Sequence, residues 1–252
     1  MIKTQKEKYS GVFIMNSEQT IEHAIIEQNT EGELFRHEHF QLTGASHQVL
    51  VYPTWAGITD FERRVASRLN SAGFDAVIVD LFGNTQDLST IEARKSAMHR
   101  LTRDFNHMVE HLCQLNTFIC TQAGNEDKQA SAMGFCLGGM CAVLTGLTRA
   151  GYMAAISFHG LLSFPKDRRP TDTTTRFMLL NGNIDPMVPE EDICATLNYF
   201  EDNQLDLTFM NFSRTLHSFS IPGAYNPDAG VMYNPDVAEQ SWRYALDLLK
   251  HV

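Results

Sequence analysis

The hexapeptide GFCLGG, at residues 134–139, indicates how this chain folds more directly than any other segment. The pattern G-x-nucleophile-x-G is typical of a sharp turn from a buried strand into a helix, where small flanking residues let neighbouring backbone pass closely. Residues 130–133 are apolar and short enough for that strand, and residues 140–144 begin a helical pattern. The nucleophile position is Cys136, and the helix dipole stabilises a thiolate at a helix N-terminus. Alternatively, Cys136 is a small buried hydrophobic residue on a glycine-rich turn.

An acid and a base lie in two loops further along the chain. Residues 176–180 are predicted to form a buried strand, and the loop that follows it carries Asp185. Residues 207–210 are predicted to form the next strand, and His217 lies in the loop after it. Because ligands gather outside the carboxyl ends of parallel strands, these loops can bring both side chains to Cys136. The order nucleophile, acid, base is that of the α/β-hydrolases and differs from the orders of chymotrypsin and subtilisin.

These three residue types suit acyl transfer. His217 would take the proton from Cys136 or hold it in an ion pair, while Asp185 would fix the imidazole tautomer and stabilise its charged form. A purely structural interpretation stays open, because the chain has ten histidines and Asp-Pro turns are common in loops. The residue order and the predicted positions after strands together favour a catalytic triad.

The same segments make the chain resemble the dienelactone hydrolases, also called carboxymethylenebutenolidases, from about residue 49 onward. The resemblance rests on GFCLGG at 134–139, GNIDPMVP at 182–189, HSF at 217–219 and the tail from 233 to 242. It implies an α/β-hydrolase fold. It also implies hydrolysis of an ester or lactone through a Cys-His-Asp triad and an S-acyl enzyme intermediate, with no cofactor and no metal.

The resemblance also assigns groups around the nucleophile. Thr54 stands where the family usually carries a glutamate that interacts with the resting cysteine. Threonine cannot hold a charge, so we expect a direct pair between Cys136 and His217. The oxyanion hole is assigned to the backbone N–H groups of Trp55 and Leu137, because backbone donors survive changes of side chain.

Two further assignments, at Ile221 and Arg94, follow from the same resemblance. Ile221 takes the place of an arginine that binds the substrate carboxylate in dienelactone hydrolases, and Arg94 corresponds to a second family arginine. Loss of one arginine removes a strong charge-assisted contact, so dienelactone itself is not the expected substrate. His159 and Phe219 are predicted to border the substrate together with Thr54. For His159 the alternative is a packed or solvent-facing histidine.

Predicted strands and helices alternate over most of the chain, which favours a mainly parallel sheet with helices on both faces. A long helical region is predicted for residues 91–119 and a closing helix for residues 237–249. Residues 1–47 are predicted to form an N-terminal hairpin, turning at 29–32, or an extension. We expect one α/β-hydrolase domain over residues 1–252.

Composition limits the partners and the compartment. A net charge of −10 disfavours nucleic acids and anionic membrane surfaces. The five cysteines show no zinc-ribbon or CxxC spacing, which favours a reducing compartment over a disulfide scaffold. The apolar run at residues 12–15, behind the N-terminal lysines, is too short for a signal-peptide core, and no run reaches transmembrane length. We therefore expect a cytoplasmic protein that acts on a small-molecule ester or lactone.

A competing motif lies at residues 107–111, where HMVEH fits the inverted zincin signature. His107 and His111 would share a helical face and bind zinc, with the glutamate as the base. The motif supplies only two ligands, so we favour a solvated helix face. His37 and His39 share one side of a predicted strand, again without a third ligand.

Three functions are compatible with these residues. The favoured one is a hydrolase of carboxylic esters or lactones with a cysteine nucleophile. The second is a thioesterase or another acyl transferase on the same triad, since the acyl-enzyme chemistry is shared. The third is a non-hydrolytic binding protein on this fold, which the absence of the family glutamate at Thr54 leaves open.

Overall fold

The structure, a computed structural model, describes residues 13–16, 19–30, 32–122, 127–148, 151–171 and 174–252. The chain forms two compact units, residues 1–130 and 131–252. The N-terminal lysines and residue 12, which carry the expectation about a signal peptide, lie outside the described residues, as does residue 31 of the predicted turn.

The strands of the first unit are β1 (Phe13–Asn16), β2 (Gln19–Thr30), β3 (Glu33–Leu42), β4 (His47–Tyr52) and β5 (Asp75–Ile78). They lie in the order β1-β2-β3-β5-β4. β2 and β3 form an antiparallel hairpin, whereas β4 and β5 pair in parallel. β4 and β5 are buried at every position, as strands of a covered parallel sheet are.

The helices of the first unit are α1 (Asp60–Ser71), α2 (Ile91–Thr102) and α3 (Phe105–Cys120). The long helical region predicted over residues 91–119 consists of two helices, because the chain breaks between α2 and α3. Asp104 caps α3 by accepting hydrogen bonds from the backbone N–H groups of Asn106 and His107. Such a side-chain bond competes with continuation of the preceding helix.

The second unit alternates strands and helices. β6 (Gln129–Phe135) crosses into it and is followed by α4 (Leu137–Thr148), β7 (Tyr152–Phe158), β8 (Arg176–Gly182), α5 (Glu190–Asp202), β9 (Leu207–Phe212), β10 (Tyr225–Asn226), β11 (Val231–Met232) and α6 (Pro235–Lys250). The order is β6-β7-β8-β9, and β8 is parallel to both β7 and β9. β10 and β11 form a separate antiparallel pair.

The core of the second unit surrounds α4. This helix is buried from Leu137 to Leu147, and β8 is buried from Phe177 to Gly182. A helix that is apolar on all sides belongs inside a protein, so α4 is an internal helix. Cys136 alone separates its first residue from β6. The predicted α/β class with a mainly parallel sheet is confirmed. Within the described part of the chain, no helix combines the length and apolar character needed to cross a membrane.

Candidate active site

Cys136 lies at the turn between β6 and α4. Its φ angle is 55°, in the left-handed region that few non-glycine residues occupy. The Cys136 N–H donates to the carbonyl of Phe158 over 3.1 Å, and the Cys136 carbonyl accepts from the N–H of Gly139 over 3.0 Å. These two bonds hold a strained backbone in place at the strand-to-helix turn, which presents the sulfur at the start of the helix.

Gly134 allows this turn to be so tight. A Cβ atom at position 134 would lie 1.9 Å from the carbonyl oxygen of Gly138. Since real Cβ atoms do not approach so closely, any side chain here would push β6 away from the first turn of α4. The glycine therefore fixes the distance between the strand and the helix that carry Cys136.

Asp185 and His217 are hydrogen-bonded to each other. Asp185 follows the end of β8, where its N–H donates to the carbonyl of Gly182 over 3.1 Å. One carboxylate oxygen, Oδ1, accepts from the N–H of Met187 over 2.8 Å, and the other, Oδ2, lies 2.6 Å from Nδ1 of His217. Both side chains are buried. This geometry fixes one ring nitrogen of the histidine as a donor to the acid and directs the other away from it.

The charge state of His217 follows from its neighbours. Burial lowers the pKa of His217, but hydrogen bonding to Asp185 and the proximity of the Cys136 sulfur raise it more strongly, from 6.5 to about 10. Nε2 of His217 is buried and has no hydrogen-bond partner among the described residues. The Cys136 sulfur therefore raises the pKa of the ring by its proximity. The raised pKa favours the imidazolium form of His217.

The backbone of His217 is held by the β10–β11 segment. Its N–H donates to the carbonyl of Gly230 over 2.9 Å, and its carbonyl accepts from the N–H of Met232 over 3.0 Å, so His217 and Val231 form a parallel bridge. Gly230 has a φ angle of 75°, and a Cβ there would lie 2.1 Å from the Pro186 ring. The sequence analysis did not predict this segment, although Pro227 and Gly230 are turn signals.

His159 packs against His217. It follows the last residue of β7 with a φ angle of 39°, and its side chain is fully buried. The two imidazole rings meet nearly edge-on, with centroids 5.1 Å apart. Burial, followed by the charge of His217, lowers the pKa of His159 well below its usual value. The ring is therefore neutral at physiological pH.

Other predicted residues of the second unit lie near this pair. Phe219 is fully buried and meets the ring of His159 edge-on at 5.1 Å. Leu137, the first residue of α4, is also buried. Ile221 is half-buried in a turn in which its N–H donates to the carbonyl of Ser218 over 3.0 Å. The structure thus gathers Leu137, His159 and Phe219 around the elements that carry the three candidate catalytic side chains.

Thr54, Trp55 and Arg94 belong to the first unit. Thr54 is buried, and its hydroxyl accepts from the N–H of Ala56 over 3.2 Å. Trp55 is half-buried in the same turn. Arg94 is half-buried on α2, and its Nε donates to the carbonyl of Leu88 over 2.7 Å. In this arrangement Arg94 binds its own unit's backbone.

A buried carboxylate that the sequence analysis missed lies beside Thr54. Glu62 on α1 is fully buried and accepts from the backbone N–H groups of Thr54 and Thr59, over 3.3 and 2.9 Å. Burial raises the pKa of Glu62. The T-x-x-E capping-box pattern of Thr59 and Glu62 was the signal for this contact.

The histidines of the competing motifs all lie in the first unit. His107 is exposed, whereas His111 is half-buried with Nε2 3.1 Å from the carbonyl of Leu81. Nε2 of His37 lies 3.2 Å from Oε1 of Gln28, and Nε2 of His39 lies 2.8 Å from Oδ2 of Asp75. The described residues include no group of three or more histidine, cysteine, aspartate or glutamate side chains that could hold a metal ion.

Comparison with known families identifies the family of this chain. The model of the dienelactone hydrolase family matches residues 13–252. The chain belongs to the dienelactone hydrolase family. The resemblance seen in the sequence motifs is thereby confirmed, and the family is one of hydrolases.

The relatives of this dienelactone hydrolase family member include proteins of several named activities. A Bradyrhizobium protein named "Probable 2-oxo-3-(5-oxofuran-2-ylidene)propanoate lactonase" is 24% identical over 83% of this chain and 85% of its own. A solved structure named m3DLH is 26% identical, with a TM-score of 0.83 over 92% of this chain and 98% of its own. A dienelactone hydrolase-like promiscuous phosphotriesterase from metagenomic libraries is 23% identical, with a TM-score of 0.82 over the same shares. The predicted α/β-hydrolase fold is confirmed.

Proposed function

We propose that this protein hydrolyses carboxylic esters or lactones with Cys136 as nucleophile, His217 as acid and base, and Asp185 as the group that orients His217. The observation that carries the proposal is the buried 2.6 Å contact between His217 Nδ1 and Asp185 Oδ2. It leaves the second ring nitrogen for the thiol on the strained turn. Lactones are included because one relative is named a lactonase.

The proposed reaction has two acyl transfers. The Cys136 thiolate attacks the carbonyl carbon, a C–S bond forms, and the carbonyl electron pair moves to the oxygen. Collapse of this intermediate expels the alkoxide, which takes the proton of the His217 imidazolium. Water then attacks the S-acyl enzyme and gives a proton to the neutral His217, and the C–S bond breaks. One ester and one water become one carboxylic acid and one alcohol, and the ion pair is restored.

Negative charge on the carbonyl oxygen needs hydrogen-bond donors. The N–H of Leu137 begins α4, where it has no partner within the helix and lies at the positive end of the helix dipole. We propose it as an oxyanion donor, and the N–H of Trp55 stays a prediction from the sequence. Thr54 carries no charge, so the imidazolium of His217 is the proposed source of thiolate stabilisation.

The proposed compartment is the cytoplasm. All five cysteines, which include Cys136, are free thiols. A thiol nucleophile works only while it is reduced, and cytosolic glutathione and thioredoxin keep thiols in that state.

A substrate panel tests the proposal. Wild type and Cys136→Ala are assayed on p-nitrophenyl esters, lactones and acyl-CoA thioesters, with and without EDTA. We expect esters and lactones to be hydrolysed, EDTA to have no effect, and Cys136→Ala to lower kcat by about 10⁶-fold. Iodoacetamide should abolish activity with the modification mapped to Cys136.

Other outcomes identify the alternatives. Preference for acyl-CoA would make the protein a thioesterase on the same triad. No turnover of any substrate, with Cys136 intact, would favour a binding protein. Activity that survives alkylation at Cys136, or that EDTA removes, would contradict the cysteine mechanism.

A further inference from the structure

The ring of His159 contacts three residues of the loop that carries His217. It meets the His217 ring edge-on, with ring centroids 5.1 Å apart and planes at 68°. It meets Phe219 at the same centroid distance and at 84°. Its Nε2 lies 2.8 Å from Oγ of Ser220. One side chain at the end of β7 therefore touches the histidine and two of the three residues that follow it.

Packing alone does not explain a histidine at this position. Nδ1 of His159 is buried and has no hydrogen-bond partner among the residues that the structure describes. An unsatisfied buried nitrogen costs stability, and phenylalanine would fill similar space without that cost. What phenylalanine lacks is a nitrogen for Ser220.

A second constraint on the His217 ring is physically useful. The hydrogen bond to Asp185 fixes the position of Nδ1, but a bond to one atom of a planar ring leaves the plane free to tilt about it. Aromatic rings in edge-to-face contact restrict each other's tilt. Nε2 is the ring nitrogen that the bond to Asp185 leaves for Cys136, so the tilt of the plane sets how well the ring faces the sulfur.

We propose that His159 is a positioning residue for His217: anchored by Ser220, its ring fixes the plane of the His217 imidazole so that Nε2 faces Cys136. This assignment rests on the proposed hydrolase function. It replaces the substrate contact predicted from the sequence with an action through His217, and it makes Ser220 part of the same unit. The ring must stay uncharged for this purpose, because a second cation would repel the imidazolium.

Three variants test the positioning. His159→Asn removes the ring and its reach to Ser220, while asparagine tolerates the left-handed backbone angle. Ser220→Ala removes the anchor from the other side. His159→Gln retains an amide near the position of Nε2 and serves as the rescue variant. His47→Asn is the matched control, because His47 is also buried and packs edge-on against a phenylalanine, Phe74, in the first unit.

The first readout separates kcat from KM on a neutral p-nitrophenyl ester. We expect His159→Asn to lower kcat by about 10- to 100-fold, since small displacements of catalytic groups cost rates of this size, with KM little changed. Ser220→Ala should produce part of the same loss, and the double variant should lose no more than His159→Asn alone. His159→Gln should recover part of the rate, and His47→Asn should keep wild-type kcat.

The second readout is the rate of iodoacetamide alkylation of Cys136 against pH, which needs no substrate. The titratable groups that face His217 are Asp185, Cys136 and His159. When the imidazole plane is not held, the thiolate is less stabilised. The low-pH part of the alkylation profile should therefore shrink in His159→Asn and in Ser220→Ala but not in His47→Asn. Unfolding would expose the fully buried thiol of Cys141, so alkylation mapped to Cys141 identifies a loss of folding.

The outcomes separate this inference from the function on which it rests. If Cys136→Ala abolishes hydrolysis while His159→Asn and Ser220→Ala leave kcat and the alkylation profile unchanged, the positioning role is wrong and the hydrolase stands. If His159→Asn instead raises KM with kcat unchanged, His159 contacts substrate. If Cys136→Ala retains full activity, the cysteine mechanism is wrong. Should His159→Asn not fold, Ser220→Ala decides by the same two measurements.

Discussion

His217 Nδ1 and Asp185 Oδ2 are 2.6 Å apart, and both residues are buried. A carboxylate in this position stabilises the imidazolium and selects its orientation. We expect Asp185→Asn to lower kcat/KM by about 10²- to 10⁴-fold on the best ester, because the amide carries no charge. The control is Asp206→Asn, an exposed aspartate paired with Arg176, which should keep wild-type activity. An equal kcat/KM in Asp185→Asn and Asp206→Asn would show that Asp185 has no part in catalysis.

The pH dependence follows from the raised pKa of His217. A histidine whose pKa rises from 6.5 to about 10 on folding adds stability that is complete below pH 6.5 and disappears as the pH passes through about 10. The melting temperature should fall over this interval in wild type, and less so in His217→Asn. Activity should decline near pH 10, where the imidazolium loses the proton that it gives to the leaving group. A rise in activity through pH 6.5 would instead show a neutral imidazole at work.

Gly134 is the position at which a single methyl group should disrupt the site. In Gly134→Ala the new Cβ would lie 1.9 Å from the Gly138 carbonyl oxygen, and we expect the free energy of unfolding to fall by about 3 kcal/mol or more. Gly44→Ala is the control, with a φ angle of 81° and no atom within 4 Å of the added Cβ. It should cost only about 1 kcal/mol. Urea titrations followed by circular dichroism compare the two, and equal midpoints would contradict close packing at the elbow.

The fourth prediction concerns how the charge of the substrate affects kcat/KM. Ile221 cannot bind a carboxylate, and Arg94 donates to its own unit's backbone. We therefore expect neutral esters to be preferred over carboxylate-bearing esters of the same size. A bidentate contact between an arginine and a substrate carboxylate is worth about 1.5–3 kcal/mol. Its absence should lower kcat/KM for the anionic ester by about ten- to 150-fold. Wild type and Arg94→Ala are assayed on a matched ester pair. An anionic preference that survives Arg94→Ala would mean that another basic residue binds the carboxylate.

The sequence predicted the parts of this molecule that depend on local patterns. The elbow at Cys136 is encoded within a few residues, and the rule that loops gather at strand ends placed Asp185 and His217 at the same edge, where they are in contact. The contact between His159 and Ser220 was not predictable, because it joins residues far apart in sequence through one side chain. The sequence pattern of residues 91–119 is that of a continuous helical region, so the break before α3 was not predicted. The side chain of Asp104 caps α3 there and competes with continuation of the preceding helix.

The parallel bridge between His217 and Val231 has a consequence for how the enzyme loses activity. A residue whose N–H and carbonyl are both paired exchanges its amide proton only when the local structure opens. The amide of His217 should therefore exchange slowly with deuterium, unlike that of a residue on an open loop. Thermal inactivation should then coincide with cooperative unfolding of the second unit instead of preceding it, because the histidine cannot leave its place by fraying.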